Sequence, residues 1–264
     1  MPRLALVGNL SFDLVDGGPP RIGGAPIHCG RALRMLETQA TLVARCAAVD
    51  RARFQHGFAR LGLPATVHAD DEATTTFAFT YEGDRRIMRV MSIGESWTTT
   101  DVTPVPPGGW VHLGALLRGD FPPPVVETLA QGRRLSLDGQ GLTRAREIGA
   151  LRLEPGPELE SLRYVSILKL AVEEAEALGG LEANALAALG PPEVLVTFGS
   201  DGSLVIANGR ATEIRARHVD ADPTGSGDAF AAAYVVARAQ GHRAVSAARR
   251  ATALVGEMLR ARLR

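Results

Sequence analysis

A glycine-rich turn before an apolar helix is the part of this sequence best suited to chemistry. It consists of Gly225, Ser226 and Gly227, and Asp228 follows in the first turn of the predicted helix. Helix N-termini carry unpaired N–H groups and a partial positive charge, so they attract phosphate and other anions. A carboxylate beside such a site can take the proton from an alcohol while a phosphoryl group is transferred. The segment therefore predicts phosphoryl transfer to a small molecule.

The same turn also has an ordinary structural interpretation. A Gly-Ser-Gly turn is a common way to begin a helix, and an aspartate in the first turn stabilises the helix by itself. The turn alone does not choose between the two interpretations, so the rest of the chain must decide.

The chain contains a single lysine, Lys169, and its other basic charges are arginines. A Walker-type phosphate loop needs a Gly-Lys-Ser/Thr sequence, and Lys169 stands between two leucines, so that class is excluded. Protein-kinase signatures are absent too. A kinase with this sequence must hold phosphate mainly with backbone amides, arginine or metal.

Composition narrows the range of partners. The 264 residues carry no net charge, whereas nucleic-acid and anionic-membrane binders usually have a basic surface. Cys29 and Cys46 lack metal-ligand spacing and make a poor disulfide framework, which predicts reduced, buried thiols. The N-terminal residues enter a strand-like segment directly, leaving no room for a signal peptide, and no apolar run is long enough to span a bilayer. We expect a cytoplasmic protein without a nucleic-acid or membrane partner.

Strand-like and helix-like segments alternate along most of the chain. The predicted strands cover residues 4–7, 40–44, 110–113, 135–138, 165–168 and 194–198. The predicted helices cover residues 25–36, 51–61, 124–131, 173–178, 182–189, 226–240 and 244–263. This alternation favours a parallel sheet covered by helices on both faces, with ligands beyond the carboxyl ends of the strands.

Two hairpins interrupt the alternation. Residues 74–81 and 85–92 alternate around a turn at Glu82-Gly83-Asp84, and a second hairpin pairs residues 203–206 with 211–214 across Asn208-Gly209. Together with residues 12–22, the first hairpin is expected to form a small β lid. The prediction is thus one domain over residues 1–264 with a lid of residues 12–22 and 74–92.

Four separated segments resemble the ribokinase family, also called the PfkB carbohydrate kinases, over essentially the whole chain. Residues 222–230 (DPTGSGDAF) are similar to its C-terminal signature, and residues 23–26 (GGAP) to its N-terminal glycine motif. Residues 7–13 (VGNLSFD) resemble its first strand, and residues 196–203 (VTFGSDGS) a strand and turn that touch nucleotide phosphates. The resemblance implies an α/β fold, a three-layer α/β/α sandwich with a mostly parallel central sheet and a small β lid.

The resemblance also implies residue roles. Asp228 would be the base that deprotonates the acceptor, and the amides of Gly225, Ser226 and Gly227 would form an anion hole. The substrate-binding candidates are Asn9, Asp13, Gly23, Gly24, His28, Gln140 and Arg144. The candidates for the nucleotide side are Thr197, Gly199, Gly202, Lys169 and Thr224. Glu174 lies where the family keeps an acid that organises magnesium through water.

Several positions depart from the family pattern. His28 replaces a sugar-binding asparagine, Ala171 replaces the asparagine of an Asn-x-x-Glu motif, and Gln140 replaces another asparagine. The Asp-x-Gln form, like the early Gly8-Asn9 pair, is similar to an inositol-kinase-like branch. The resemblance leaves open whether this protein binds potassium. Asp222 and Thr224 are present, but family members that bind the ion also use residues further along the chain.

Two classes of function follow for the same scaffold. The first is an ATP-dependent phosphotransferase, using Mg2+, whose acceptor is a hydroxyl of a small sugar or polyol, or alternatively of a nucleoside. The second is a non-catalytic ligand-binding or regulatory protein that has lost turnover, suggested by His28 and Ala171. A dinucleotide oxidoreductase is a poor match because no Gly-x-Gly-x-x-Gly follows the first strand. A homodimer formed through the lid is expected from the resemblance.

Overall fold

A sheet of nine strands lies at the centre of the molecule. The computed structural model describes residues 4–63, 65–82 and 85–263. In spatial order the strands are β14 (Arg210–Arg215), β13 (Gly202–Ala207), β12 (Glu193–Thr197), β11 (Val165–Ala171), β9 (Arg134–Asp138), β8 (Trp110–Gly114), β1 (Leu4–Asn9), β4 (Thr41–Ala47) and β5 (Ala65–Asp71). The seven strands from β12 to β5 are parallel, and the hairpin of β13 and β14 adds an antiparallel edge.

Helices cover both faces of this sheet. One face packs against α1 (Ala25–Met35), α2 (Arg51–Leu61), α7 (Ser226–Ala239) and α8 (Ala244–Ala261). The other packs against α3 (Pro123–Ala130), α5 (Val172–Ala177) and α6 (Ala183–Ala187), and the short α4 (Gln140–Thr143) follows β9. Successive strand residues enter opposite cores: Leu4 and Leu6 face one, Ala5 and Val7 the other. Burial on both faces explains why these strands are continuous apolar runs, and the predicted three-layer sandwich is confirmed.

A second sheet of five strands stands apart from the first. Its order is β10 (Gly149–Ala150), β7 (Arg85–Ser92), β6 (Thr75–Glu82), β2 (Ser11–Val15) and β3 (Arg21–Gly23). Phe77, Phe79 and Val90 form its own small core with Leu116 and Leu117. This sheet occupies the segments predicted as a lid, except that Gly83 and Asp84 of the predicted turn lie outside the described residues.

The structure adds elements that the sequence pattern did not predict. The longest of the added strands is β5, where buried and exposed residues do not alternate regularly because the strand lies at the sheet edge. The two-residue strand β10 is too short to leave a pattern. No helix in the described ranges is long and apolar enough to cross a membrane.

A close approach between β8 and α1 gives a test of the packing. A Cβ atom added to Gly114 would lie 2.1 Å from the Cβ atom of Ala25, so a side chain here must push α1 away from the sheet. We expect Gly114→Ala to lower the free energy of unfolding by about 1–3 kcal/mol. Urea denaturation measures this, with Gly256→Ala as control, because a Cβ atom there meets only the end of the Arg260 side chain. The control should be neutral or stabilising, since alanine favours helix over glycine. Equal effects of both substitutions would contradict the packing argument.

Candidate active site

The glycine turn adopts a backbone that only glycine fits easily. Gly225 has φ +77° and is the N-cap of α7, which begins at Ser226. A Cβ atom on Gly225 would lie 2.3 Å from Nδ1 of His28, so the turn passes directly over that ring. The Oγ atom of Ser226 is buried and has no hydrogen-bond partner in the part of the chain that the structure describes. The backbone nitrogen of Ser226 donates to the oxygen of Pro223 over 2.9 Å, so the hydroxyl is the group of this residue that is left for a ligand.

Asp228 is partly buried in the first turn of this helix. Burial, and after it the nearby Asp138 carboxylate, raise the pKa of its carboxyl group from 3.8 to about 7, against the opposing effect of Lys169 and Arg144. A carboxyl group with a pKa near neutrality is well placed to accept a proton in a catalytic step. The thiol of Cys29 donates a hydrogen bond of 3.3 Å to the backbone oxygen of Asp228, which ties α1 to α7 at this point.

Charged side chains lie beneath the turn, at the carboxyl ends of β9 and β11. Nζ of Lys169 donates to Oδ2 of Asp138 over 3.2 Å, and 4% and 1% of these two side chains are exposed. Burial alone would lower the pKa of Lys169, but the carboxylates of Asp138, Glu174 and Asp228 outweigh burial and raise it. A Cβ atom on Gly227 would lie 3.0 Å from Nζ, so the ammonium group lies against the turn.

Glu174 is engaged within the protein. Its Oε2 atom accepts a hydrogen bond of 2.8 Å from the backbone nitrogen of Ala171, and its Oε1 atom lies 3.7 Å from Nη2 of Arg144. The glutamate thus supports the start of α5, and only 2% of it is exposed. Within residues 4–63, 65–82 and 85–263, no three acidic, histidine or cysteine side chains are grouped to hold a metal ion. These residues do not fit a magnesium ion bound directly by the protein.

The candidate acceptor residues lie on the lid side of the turn. Asp13 lies on β2, where 8% of it is exposed, and a Cβ atom on Gly23 would lie 2.8 Å from its Oδ2 atom. Gly24, with φ +91°, is the N-cap of α1. Burial, with a smaller effect of Arg31, lowers the pKa of His28 to about 3, so the imidazole is neutral at physiological pH. Its Nδ1 atom lies 3.3 Å from Nη1 of Arg31, which places the proton on Nε2.

Two other substrate candidates have different surroundings. The Oδ1 atom of Asn9 accepts a 2.5 Å hydrogen bond from Nε1 of Trp97, and Nδ2 donates to the oxygen of Glu95 over 3.1 Å. Asn9 is 1% exposed and is bonded to the segment after the lid, and its substrate contact stays a prediction. Gln140 begins α4, where its backbone nitrogen donates to Oδ1 of Asp138 over 3.2 Å.

Three of the five donor-side candidates, Thr197, Gly199 and Gly202, line a cavity of about 850 Å³, whereas Lys169 and Thr224 are not among its lining residues. It lies between α8, the start of α7 and the segment that follows β14. Thr197, Gly199 and Gly202 line one end together with Ser226 and Gly227, so the cavity reaches the turn. Further in, its walls combine apolar and basic side chains, which include Ile214, Phe230, Val255, Leu259, Arg215, Arg217, Arg249 and Arg260. The cavity thus extends from three of the predicted nucleotide residues to Ser226 and Gly227 of the predicted anion hole.

Arg262, just after α8, holds the turn from the other side. Its guanidinium group donates to the backbone oxygens of Asp222 and of Thr224, the latter over 3.0 Å. Thr224 itself donates from N and Oγ1 to Oδ1 of Asp222, over 2.9 and 2.6 Å. The candidate potassium residues are therefore already bonded to each other and to an arginine.

The sequence did not predict a role at the site for Asp138, Cys29 or Arg262. For Asp138 a signal existed, because a charged residue at the end of an apolar strand is rarely placed there without a partner. Cys29 and Arg262 carry no such signal, since their contacts with the turn join residues 199 and 38–40 positions apart.

The raised pKa of Asp228 predicts a dependence of stability on pH. Between pH 4 and 7 the unfolded chain releases the proton that the folded protein keeps, so stability is lost as pH rises through this window. Asp228→Asn removes this loss. The free energy of unfolding of the variant minus that of the parent should therefore increase by about 1–3 kcal/mol from pH 5 to pH 8. Urea denaturation at four pH values measures the difference, in which the contributions of His28 and other groups cancel.

A matched control is Asp70→Asn, because 67% of the Asp70 side chain is exposed. Its difference from the parent should stay constant over the same pH range. A constant difference for Asp228→Asn as well would contradict the raised pKa.

Comparison with known proteins supports the fold and shows the family. Among solved structures, a pyrophosphate-dependent kinase in the ribokinase family, complexed with a pyrophosphate analog and myo-inositol, has a TM-score of 0.86 at 23% identity, covering 97% of this chain and 95% of the other. The Burkholderia thailandensis nucleoside kinase in complex with inosine gives 0.76 at 18% identity, over 97% and 90% of the chains. Fructokinase from Vibrio cholerae O395, bound to fructose, ADP and calcium ion, gives 0.75 at 20% identity, over 97% and 90%.

At these identities the likenesses show a common fold. The model of the pfkB family carbohydrate kinases matches residues 21–260, which include the glycine turn, Asp228 and the donor-side residues. The chain therefore belongs to the pfkB family of carbohydrate kinases.

Proposed function

We propose that this kinase transfers the terminal phosphoryl group of ATP to a hydroxyl group of a small sugar or an inositol-like polyol. The observation that carries the proposal is the position of Asp228. A carboxylate with a pKa near 7 stands in the first turn of α7, next to backbone amides that have no partner within the helix. Base and anion hole are thus adjacent, as an in-line transfer to an alcohol requires.

On the acceptor side, Asp13 and His28 supply complementary hydrogen bonds. The carboxylate of Asp13 accepts from substrate hydroxyls, and the neutral His28 donates from Nε2. These contacts orient one hydroxyl toward Asp228, which takes its proton as the oxygen attacks phosphorus. Closure of the lid excludes water, so that the alcohol is phosphorylated in place of solvent. Gly23 and Gly24 leave room for the substrate beside the start of α1.

On the donor side, the amides of Gly225, Ser226 and Gly227 receive the charge that develops on the transferred group. The ammonium group of Lys169 lies against Gly227 and adds a positive charge at the same place. A magnesium ion, when bound, would neutralise charge on the donor phosphates, and Glu174 is the residue proposed to organise it through water.

The size and walls of the donor cavity favour a nucleotide. A volume of about 850 Å³ exceeds the space that two phosphoryl groups fill, and Ile214, Val255 and Leu259 provide an apolar surface for a base. Pyrophosphate is the second candidate donor. Four arginines line the cavity, and the pyrophosphate-dependent kinase described above has a closely similar fold.

A polyol fits the acceptor side better than a nucleoside, because Asp13 and His28 supply hydrogen bonds there and none of the residues assigned is Phe, Tyr or Trp. A nucleoside remains the alternative, supported by the fold shared with a nucleoside kinase. A non-catalytic binding protein is a further alternative and differs from the proposal in one respect: it would bind a polyol without turnover. We also propose a homodimer in which the lids of two copies pair, as the family resemblance implies.

The first test is a screen for phosphoryl transfer. Purified protein with MgATP should release ADP in the presence of one of myo-inositol, D-fructose, D-ribose or inosine. With that acceptor, kcat/KM should rise with pH and level off above an apparent pKa near 7, as Asp228 loses its proton. Asp228→Asn should lower kcat by about 10³-fold, while Asp70→Asn should leave it unchanged. Tight binding of a polyol without ADP release would instead support the binding protein.

The second test decides between the donors. Gly256 lines the cavity, and a side chain placed on it meets only the end of Arg260. Gly256→Leu should raise the KM for ATP about tenfold or more, because it fills space assigned to the base, while the use of pyrophosphate is unaffected. Arg250→Leu is the control, since Arg250 lies exposed on the same helix and is not among the lining residues. Activity with pyrophosphate alone, unchanged in Gly256→Leu, would identify pyrophosphate as the donor.

A further inference from the structure

Asp138 and Lys169 form a buried ion pair directly below the first turn of α7. Their charged atoms are 3.2 Å apart, and their side chains are almost completely shielded from solvent. Asp138 also accepts a hydrogen bond from the backbone nitrogen of Gln140, so its carboxylate is fixed by the start of α4. The ammonium group is thereby held at the point where a Cβ atom on Gly227 would approach within 3.0 Å.

This arrangement places two positive groups face to face. The N-terminus of α7 carries a partial positive charge, and a cation close to it is unfavourable unless an anion lies between or beside them. Three carboxylates offset the charge of Lys169: Asp138 at the end of β9, Glu174 in α5 and Asp228 in the first turn of α7. A phosphoryl group at the turn would meet the helix amides and the ammonium group together.

We propose that Asp138 is a positioning residue that holds the ammonium group of Lys169 against Gly227, where it meets both the transferred phosphoryl group and the carboxylate of Asp228. This inference rests on the proposed function and assigns to Asp138 a role that works only through Lys169. An alternative role is purely structural, in which the pair merely fills the base of the sandwich.

The surroundings of Asp228 separate the two roles. The charged and titratable groups that surround it from the neighbouring elements are Asp13, His28, Cys29, Asp138, Arg144, Lys169 and Glu174. Asp138 raises the pKa of Asp228, and Lys169 lowers it. Loss of the aspartate charge must therefore move the rise of kcat/KM to lower pH, and loss of the lysine charge must move it to higher pH. A structural role predicts no such opposite shifts.

The experiment compares Asp138→Asn, Lys169→Met and the double variant with the parent protein, using the acceptor found in the screen and MgATP. Lys169→Met should lower kcat about 10²-fold and shift the pH profile upward. Asp138→Asn should lower kcat about tenfold and shift the profile downward. In the double variant the loss should equal that of Lys169→Met alone, because a residue that acts through the lysine has no effect once the lysine is gone.

The double variant also keeps the experiment informative if Lys169→Met alone does not fold. Lys169→Met leaves a buried carboxylate without its partner, which is strongly destabilising, whereas the double variant removes both charges. Asp120→Asn is the matched control, because Asp120 is a buried carboxylate paired with Arg146 at 2.7 Å and is not among the groups that affect Asp228. Its pH profile should coincide with that of the parent even where its stability falls.

A second measurement needs no turnover. Asp228→Asn causes a pH-dependent gain in the free energy of unfolding, and this gain should be smaller in the Asp138→Asn background than in the parent. In the Lys169→Met/Asp138→Asn background the gain should be larger than in the Asp138→Asn background. Unchanged gains, or a parent-like kcat and pH profile in Asp138→Asn, would overturn the inference. Absence of any ADP release by the parent, together with the expected stability shifts, would overturn the proposed function and leave the electrostatic role of the pair standing.

Discussion

The site depends on the placement of one carboxyl group at the positive end of a helix and above a buried set of charges. Asp228 gains from the helix N-terminus and from Lys169, but it loses solvent and faces Asp138. The balance leaves its pKa near neutrality, where a small change in any neighbour alters the fraction that is ionised. The sandwich supplies this balance, because the parallel strands end at one edge and bring Asp138 and Lys169 beneath α7.

Local sequence was sufficient where a feature is contained in a few consecutive residues. The sequence of Gly225–Asp228 is typical of a glycine in the left-handed backbone conformation followed by a helix start. In the structure Gly225 has φ +77° and α7 begins at the next residue. Continuous apolar runs such as β1 predict strands buried on both faces, and the two cores on either side of the sheet bear this out. The strand β5 lacks such a run, and only its pairing with β4 makes it a strand.

The candidate site was harder to predict because side-chain partners come from distant parts of the chain. Asn9 lies beside the site, yet its amide is occupied by Trp97 and Glu95, 88 and 86 residues away. Glu174 bonds to the backbone of its own helix start, which its spacing from Ala171 permits, and to Arg144, which the spacing does not indicate. Family resemblance located the right neighbourhood for these residues, whereas the partner of each polar atom is a property of the three-dimensional structure.

The contact of Arg262 with the backbone of Asp222 and Thr224 ties the segment after α8 to the segment before α7. The arginine lies at the C-cap of α8, outside the apolar core, and the oxygens that it binds immediately precede the N-cap of α7. Loss of the Arg262 guanidinium group would therefore free the backbone oxygens of Asp222 and Thr224 beside the proposed anion hole. Because Arg262 is exposed, this loss would remove no side chain from the apolar core.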